Sequence, residues 1–223
     1  MKQHIVKIES IDKVTHDVFK IVTVKPQNYV FIPGQATEVS INKKGWKDKK
    51  SPFTFTSLPE ENHLEFIIKT YPSHKGVTGE LIHLKINDEL ILHEVFGAIN
   101  YKGEGVFMAG GVGVTPFVSI FRDLESKNEL GNNTLIFANK TKNDIILEKE
   151  FKRLLGTNFI NILSDEKVDG YANGQITKDF IQANNGGTHK LFYLCGPPPM
   201  MEAIEKQLAD LHVDKKSIVK EEF

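Results

Sequence analysis

Over its first hundred residues the chain alternates apolar and polar positions with a period near two, punctuated by turn formers. Runs at 5–11, 18–24, 36–41, 52–57, 64–71 and 90–95 are rich in Val, Ile, Phe and Thr, a pattern that predicts short strands. Pro33-Gly34 marks a turn, and 76–84 is the one stretch here with helical spacing. Six short strands joined by turns predict an antiparallel Greek-key β-barrel. Past Gly105 the pattern changes. Apolar runs at 106–109, 134–138, 158–163 and 191–195 alternate with helix-period segments at 116–127, 143–155, 177–183 and 198–211, and a short apolar segment follows at 217–220. Strands alternating with helices predict a parallel sheet covered on both faces. The expected architecture is two domains: the β-barrel over 1–102, then an α/β parallel-sheet nucleotide-binding domain over 103–223.

Composition adds exclusions. A length of 223 residues suffices for two apolar cores, and a net charge of −1 creates no field for nucleic acid or an anionic membrane. The single cysteine, Cys195, rules out a disulfide framework and an all-cysteine iron–sulfur or zinc site. The eight histidines show no zinc-type spacing, so no metal site is expected. The opening residues carry charge where a secretory signal needs an apolar core, and no run approaches the ~18 apolar residues of a membrane span. A cytoplasmic protein without a membrane span is expected.

Two strand ends carry the chemistry. In an open parallel sheet ligands bind at the carboxyl ends of strands. At one such end Gly110, Gly111 and Gly113 precede Thr115 and Pro116, which together predict an N-cap and a first helical residue. Free N–H groups at a helix start and close backbone approach suit a dinucleotide pyrophosphate, although an ordinary tight strand-to-helix turn has the same ingredients. At the other end stand Cys195, Gly196, Pro197 and, two residues on, Pro199-Met200. Cys195 reads either as a small buried apolar side chain or as a group facing a ligand. The glycines do not form a Rossmann fingerprint: Pro116 occupies the place of the third glycine, and the next strand runs into Ala138-Asn139-Lys140 without an acid.

Four motifs taken in order resemble the ferredoxin–NADP reductase superfamily, in particular its short flavodoxin-reductase-like members, over essentially the whole chain. Ser51-Pro-Phe-Thr54 stands where that family has Arg-x-Tyr-Ser, and Gly76-Val77-Thr78 where it has Gly-x-Ser/Thr. Gly110 to Pro116 is similar to its nicotinamide-dinucleotide pyrophosphate motif, and Cys195 to Met200 to its Cys-Gly-Pro-x-x-Met motif. The resemblance implies an FAD-binding barrel, an NADH- or NADPH-binding second domain, hydride transfer between the two cofactors, and single-electron delivery to an acceptor. That acceptor is expected to be a small acidic redox protein, flavodoxin or ferredoxin, or a small molecule.

Residue by residue, the resemblance implies that Pro52, Phe53 and Thr54 line the flavin, with the Thr54 hydroxyl near its reactive nitrogen. Lys69, Thr70 and Tyr71 line it from the strand leading to Gly76, or form a solvent-facing strand end. Cys195 packs beside the nicotinamide, Phe223 lies over the flavin and Glu221 serves hydride or proton-handling geometry; the alternative for this end is a frayed terminus. Ser51 departs from the family's arginine and Phe53 from its tyrosine, so the flavin is expected to dissociate more readily than usual. Lys49, Lys50, His74 and Lys75 are the nearby candidates for replacing the lost charge. Ser164, Asp165 and Glu166 end the third strand of the second domain. Their carboxylates would repel a 2′-phosphate and favour NADH over NADPH.

The five lysines between Lys43 and Lys50 form either a solvated hairpin or a surface that steers an acidic carrier. A rival reading is a non-catalytic flavin- or nucleotide-binding regulatory module retaining the fold, favoured by Ser51 and Phe53. A subunit of a larger iron–sulfur flavoenzyme is disfavoured by the lone cysteine.

Overall fold

The computed structural model describes residues 3–185 and 191–221. Its first half holds six strands: β1 (His4–Lys13), β2 (Val18–Val24), β3 (Ala36–Ile41), β4 (Ser51–Thr54), β5 (His63–Lys69) and β6 (Glu89–Phe96). They pair antiparallel in the order β4-β3-β6-β1-β2-β5, and a bridge between Phe55 and Phe66 joins the two ends. The period of two explains β1, where Val6 and Ile8 turn inward while Lys7 and Glu9 face solvent. In β5 the alternation fails because both faces are covered. Leu64, Phe66 and Ile68 enter the barrel core, whereas Ile67 packs against the second half of the molecule. The predicted helix over 76–84 is a four-residue turn, α1 (Val77–Glu80), followed by a 3₁₀ turn at Leu81–His83.

The second half is a six-stranded parallel sheet in the order β10-β9-β8-β7-β11-β12. Its strands are β7 (Gly105–Gly110), β8 (Thr134–Asn139), β9 (Phe159–Leu163), β10 (Ala172–Asn173), β11 (Leu191–Cys195) and β12 (Ile218–Lys220). Helices α2 (Thr115–Ser126) and α3 (Glu148–Leu155) cover one face through Phe117, Phe121 and Phe151. On the other face α4 (Lys178–Asn184) and α5 (Pro198–Asp210) pack Ile181, Ile204 and Leu208. Every residue of β7 is buried, as a central strand between two helical layers requires.

Three local expectations are corrected. The helix over 143–155 is broken: Thr141 and Asp144 form a capping box around a 3₁₀ turn at Lys142–Asp144, and α3 starts only after Leu147 at φ 52°. Side-chain caps of this kind compete with helix propagation, and the turn lets Ile145 and Ile146 enter the core. Thr115 is not an N-cap. A 3₁₀ turn at Gly111–Val114 feeds directly into α2, the cap position is Val114, and the Thr115 hydroxyl donates to the Val112 carbonyl at 3.0 Å. The loop after β9 contains the edge strand β10, too short to carry a periodicity.

Candidate functional site

The strand order sets where a ligand can lie. From β7 the chain runs outward through β8 and β9, then crosses back to place β11 on β7's other side, so the topological switch point lies between β7 and β11. A crevice opens at the carboxyl ends of such a pair. Here those ends carry Gly110 and Cys195, with Ala109 and Cys195 in register. The two glycine-bearing turns are packed on each other. A Cβ on Gly113 would stand 2.4 Å from the Cys195 carbonyl oxygen and 2.7 Å from Gly196 Cα, and Gly111 holds φ at +52°. The glycines therefore serve the fold first, bringing the Gly110 and Cys195 motifs into contact so that both face one space.

That space is a cavity of about 520 Å³ at the junction of the two halves. The barrel supplies Pro52, Phe53, Thr54, Lys69, Tyr71 and Thr78; the sheet supplies Gly110, Gly111, Gly113, Thr115, Pro116, Cys195, Gly196 and Pro197, and Glu221 closes it. Fifteen residues singled out in sequence, separated by up to 169 positions, thus share one wall-to-wall space. A second cavity of about 380 Å³ continues past Gly110, Gly111, Lys69 and Pro197 to Ser164 and Met200. Thr70, Gly76, Val77 and Asp165 line neither. Thr70 is buried and donates its hydroxyl to the Asp17 carbonyl at 3.0 Å, Val77 is in the barrel core, and exposed Asp165 accepts from the Ser164 hydroxyl at 2.6 Å. Phe223 lies outside the described residues.

Electrostatics divide the lining. The cavity carries one cation from the barrel, Lys69, and that ammonium is 2.8 Å from Asp17. Burial pushes the Asp17 carboxyl up, but Lys69, with His16 and the Thr15 hydroxyl, more than offsets this and holds it below its ordinary value. Cys195 is half-buried; desolvation, then the nearby Glu221 carboxylate, push its thiol up to about 12. It is a neutral thiol at physiological pH, suited to packing and not to nucleophilic attack. The Glu221 carboxylate accepts from the Ala98 and Ile99 amides at 2.9 and 3.3 Å, so it also ties the chain end to the segment linking the halves.

Arg122 on α2 holds the halves together. It donates to Glu65 of β5 at 2.7 Å, to the Thr56 carbonyl at 2.8 Å and, through two nitrogens, to Glu150 of α3 at 2.6 and 3.0 Å. Burial alone would lower its pKa, but Glu150 and Glu65 raise it above the ordinary value, so it stays charged. Gly34 donates its amide to the buried Ser119 hydroxyl at 3.0 Å, and Val18, Ile67 and Ile99 share a core with Phe117 and Ile120.

The lining fits the chemistry of a flavin and a pyridine dinucleotide. Flat apolar side chains, Phe53 and Tyr71 among them, adjoin the hydroxyls of Thr54 and Thr78, which have no hydrogen-bond partner among the described residues. In the second cavity the carboxamide of buried Asn139 is unpaired at both Nδ2 and Oδ1, which a bound polar ligand would correct. Asn139 and its neighbour Lys140 were not picked out in sequence as binding residues. Their position at the carboxyl end of a parallel strand was the available signal. Ala36 and Phe96, paired across β3 and β6, and Ile99 were missed because only long-range pairing brings them to the cavity.

A six-stranded antiparallel barrel and a doubly wound parallel sheet, sharing one cavity at the switch point, define a two-domain dinucleotide-binding architecture. Comparisons with known proteins agree with it. Residues 3–96 match the family model of an FAD-binding domain and residues 107–206 that of an oxidoreductase NAD-binding domain. The chain is 30% identical over 173 residues to NADH-cytochrome b5 reductase 2 of Mycosarcoma maydis, covering 71% of this chain and 49% of that protein. It is 26% identical over 235 residues to the reductase component of propane 2-monooxygenase from Rhodococcus jostii (strain RHA1), covering 97% and 62%. In fold it is similar to a ferredoxin NADP+ reductase from Neisseria gonorrhoeae with bound FAD and NADP. The TM-score there is 0.86 at 18% identity, over 99% of this chain and 97% of that one. The chain thus carries an FAD-binding domain followed by an oxidoreductase NAD-binding domain, in the fold of that ferredoxin NADP+ reductase. It spans roughly half to three-fifths of the length of the two curated relatives. No helix among the described residues is long and apolar enough to cross a membrane.

Proposed function

We propose that this chain is an FAD-dependent oxidoreductase that takes reducing equivalents from NADH, or less readily NADPH, and delivers electrons singly to an acceptor. The observation that carries the reading is the single cavity walled on one side by Pro52–Thr54 and on the other by the Gly110 and Cys195 turns. When bound, the flavin supplies the conversion of a two-electron hydride into single electrons. The chain's part is orientation and exclusion of water. Phe53 and Pro52 offer flat apolar contact, and the Thr54 hydroxyl is free to hydrogen-bond a flavin edge. Neutral Cys195 packs beside the nicotinamide site without placing a charge against it.

For nucleotide choice, the glutamate after Asp165 is already engaged: the Glu166 carboxylate accepts the Lys142 amide at 2.7 Å. Lys140, meanwhile, lines the second cavity beside Ser164. The preference for NADH is therefore smaller than two free carboxylates would produce. The acceptor is proposed to be a small acidic carrier such as flavodoxin or ferredoxin, a cytochrome or oxygenase component of the kind the relatives' names indicate, or a small molecule. Of the lysine loop, Lys43 and Lys50 are paired with Asp88 and Glu38, and Lys44, Lys47 and Lys49 have no carboxylate partner among the described residues. These last three are available to steer such a carrier.

Anaerobic titration with NADH tests the proposal. The purified, FAD-loaded chain should lose its flavin absorbance with one equivalent of NADH and recover it on adding a one-electron acceptor. A chain that takes up no FAD, or holds FAD that NADH leaves oxidised, would instead favour a non-catalytic binding module. A higher kcat/KM with NADPH than with NADH would refute the nucleotide preference.

A further inference from the structure

FAD carries two negative charges on its pyrophosphate, and binding them requires cations or well-aimed donors. The cavity between the halves supplies little positive charge on the barrel side. Its one barrel cation, Lys69, is committed to Asp17 at 2.8 Å, and position 51, at the start of β4, offers only a serine hydroxyl. A further barrel-side cation would have to come from the rim. On the barrel side the cavity wall includes Tyr71 and Thr78, on either side of residues 72–77, and the lysine loop reaches this segment. Lys49 crosses between them, donating from Nζ to the Lys75 carbonyl at 3.3 Å.

The other cations near this rim are less suited. Lys50 is paired with Glu38 at 3.0 Å. His74 stacks on Tyr71, with ring centroids 5.0 Å apart and planes 14° from parallel. Among the described residues the Lys75 side chain has no contact that would hold its ammonium in place. Lys49 is held: its Nζ is 4.2 Å from the centroid of the Trp46 ring, and Trp46 itself packs against the barrel core. An ammonium has three donors, and the carbonyl uses one. A cation already restrained on both sides loses less freedom on binding a phosphate than a free surface lysine does.

We propose that Lys49, steadied by Trp46 and the Lys75 carbonyl, is the cation that binds the FAD pyrophosphate in this chain. This rests on the flavin reading above. It also gives the lysine loop a cofactor-binding role distinct from steering a carrier.

Trp46 is the only tryptophan in the chain, so its fluorescence reports on this rim alone. The flavin-stripped chain is titrated with FAD and separately with riboflavin, which has no phosphate, following Trp46 emission and flavin absorbance. Lys49→Gln should weaken FAD binding about tenfold to a hundredfold, the range for a charge-assisted hydrogen bond. Riboflavin binding should stay unchanged, Lys49→Arg should retain most of the FAD affinity, and Lys44→Gln should match the unaltered chain. Added salt should weaken FAD binding more in the unaltered chain than in Lys49→Gln. The inference is overturned if Lys49→Gln binds FAD within twofold of the unaltered chain, if riboflavin weakens equally, or if Lys75→Gln alone carries the loss. Failure of the unaltered chain to bind FAD would sink the flavin reading itself, a result distinct from all of these.

Discussion

Arg122 joins the two halves through its bonds to Glu65 and the Thr56 carbonyl. In Arg122→Met the guanidinium and its four hydrogen bonds vanish while the aliphatic stem remains. Glu150 is 23% exposed and can recruit water, but the Glu65 side chain is 9% exposed and keeps only the Thr56 hydroxyl at 2.8 Å. Stranding one member of a buried ion pair costs about 3–5 kcal/mol, and the surviving Thr56 bond points to the lower end, ~3 kcal/mol. For a chain of this length that corresponds to a fall in Tm of roughly 6–12 °C. Arg122 bridges α2, which follows the Gly110 turn, to β5, which leads to the cavity wall at Lys69, so the variant should also lower kcat more than it raises KM. Calorimetry and steady-state kinetics check the two effects together. Arg122→Met combined with Glu65→Leu should regain much of the lost stability, since no buried charge is then stranded and the part-exposed Glu150 can be hydrated. A Tm within ~2 °C of the unaltered protein, or a double variant no more stable than the single one, would refute the reasoning.

Two glycines separate a folding role from a ligand role. Gly113→Ala should destabilise the flavin-free protein by about 1–3 kcal/mol, because backbone and not a flexible side chain opposes the new methyl. Gly76→Ala should leave flavin-free stability nearly unchanged, since a Cβ there meets nothing within 4 Å, while any loss of FAD affinity would report close approach of the ligand. Equal chemical-denaturation midpoints for the two variants would contradict this distinction. For Cys195, a thiol pushed up to about 12 carries very little thiolate at pH 8. Iodoacetamide should label it at least tenfold more slowly than a free model thiol, and similar rates would show the site to be solvated. The sign for stability follows: the folded state holds this proton more tightly than the unfolded chain. Stability is therefore unaffected below the ordinary thiol pKa and falls as pH rises above it.

Much of this molecule is written in short-range pattern. Barrel strands with a single buried face, such as β1, alternate because the pleat sends successive side chains to opposite sides, and β7 is uniformly apolar because helices cover both of its faces. The Gly110 and Cys195 turns stand out because strand ends need glycine and proline for local reasons. What periodicity cannot carry is interaction between distant segments. The break between Asp144 and Glu148, the cap at Val114 and the two-residue β10 depend on which side chains the core receives and on pairing with a neighbouring strand. The contact of Gly113 with Cys195, the reach of Arg122 to Glu65, and the approach of Lys49 to Lys75 join residues 82, 57 and 26 positions apart. No local propensity encodes such distances. They follow from barrel closure and from the crossover that returns β11 to the side of β7, and those decide which of the residues legible in sequence share a cavity.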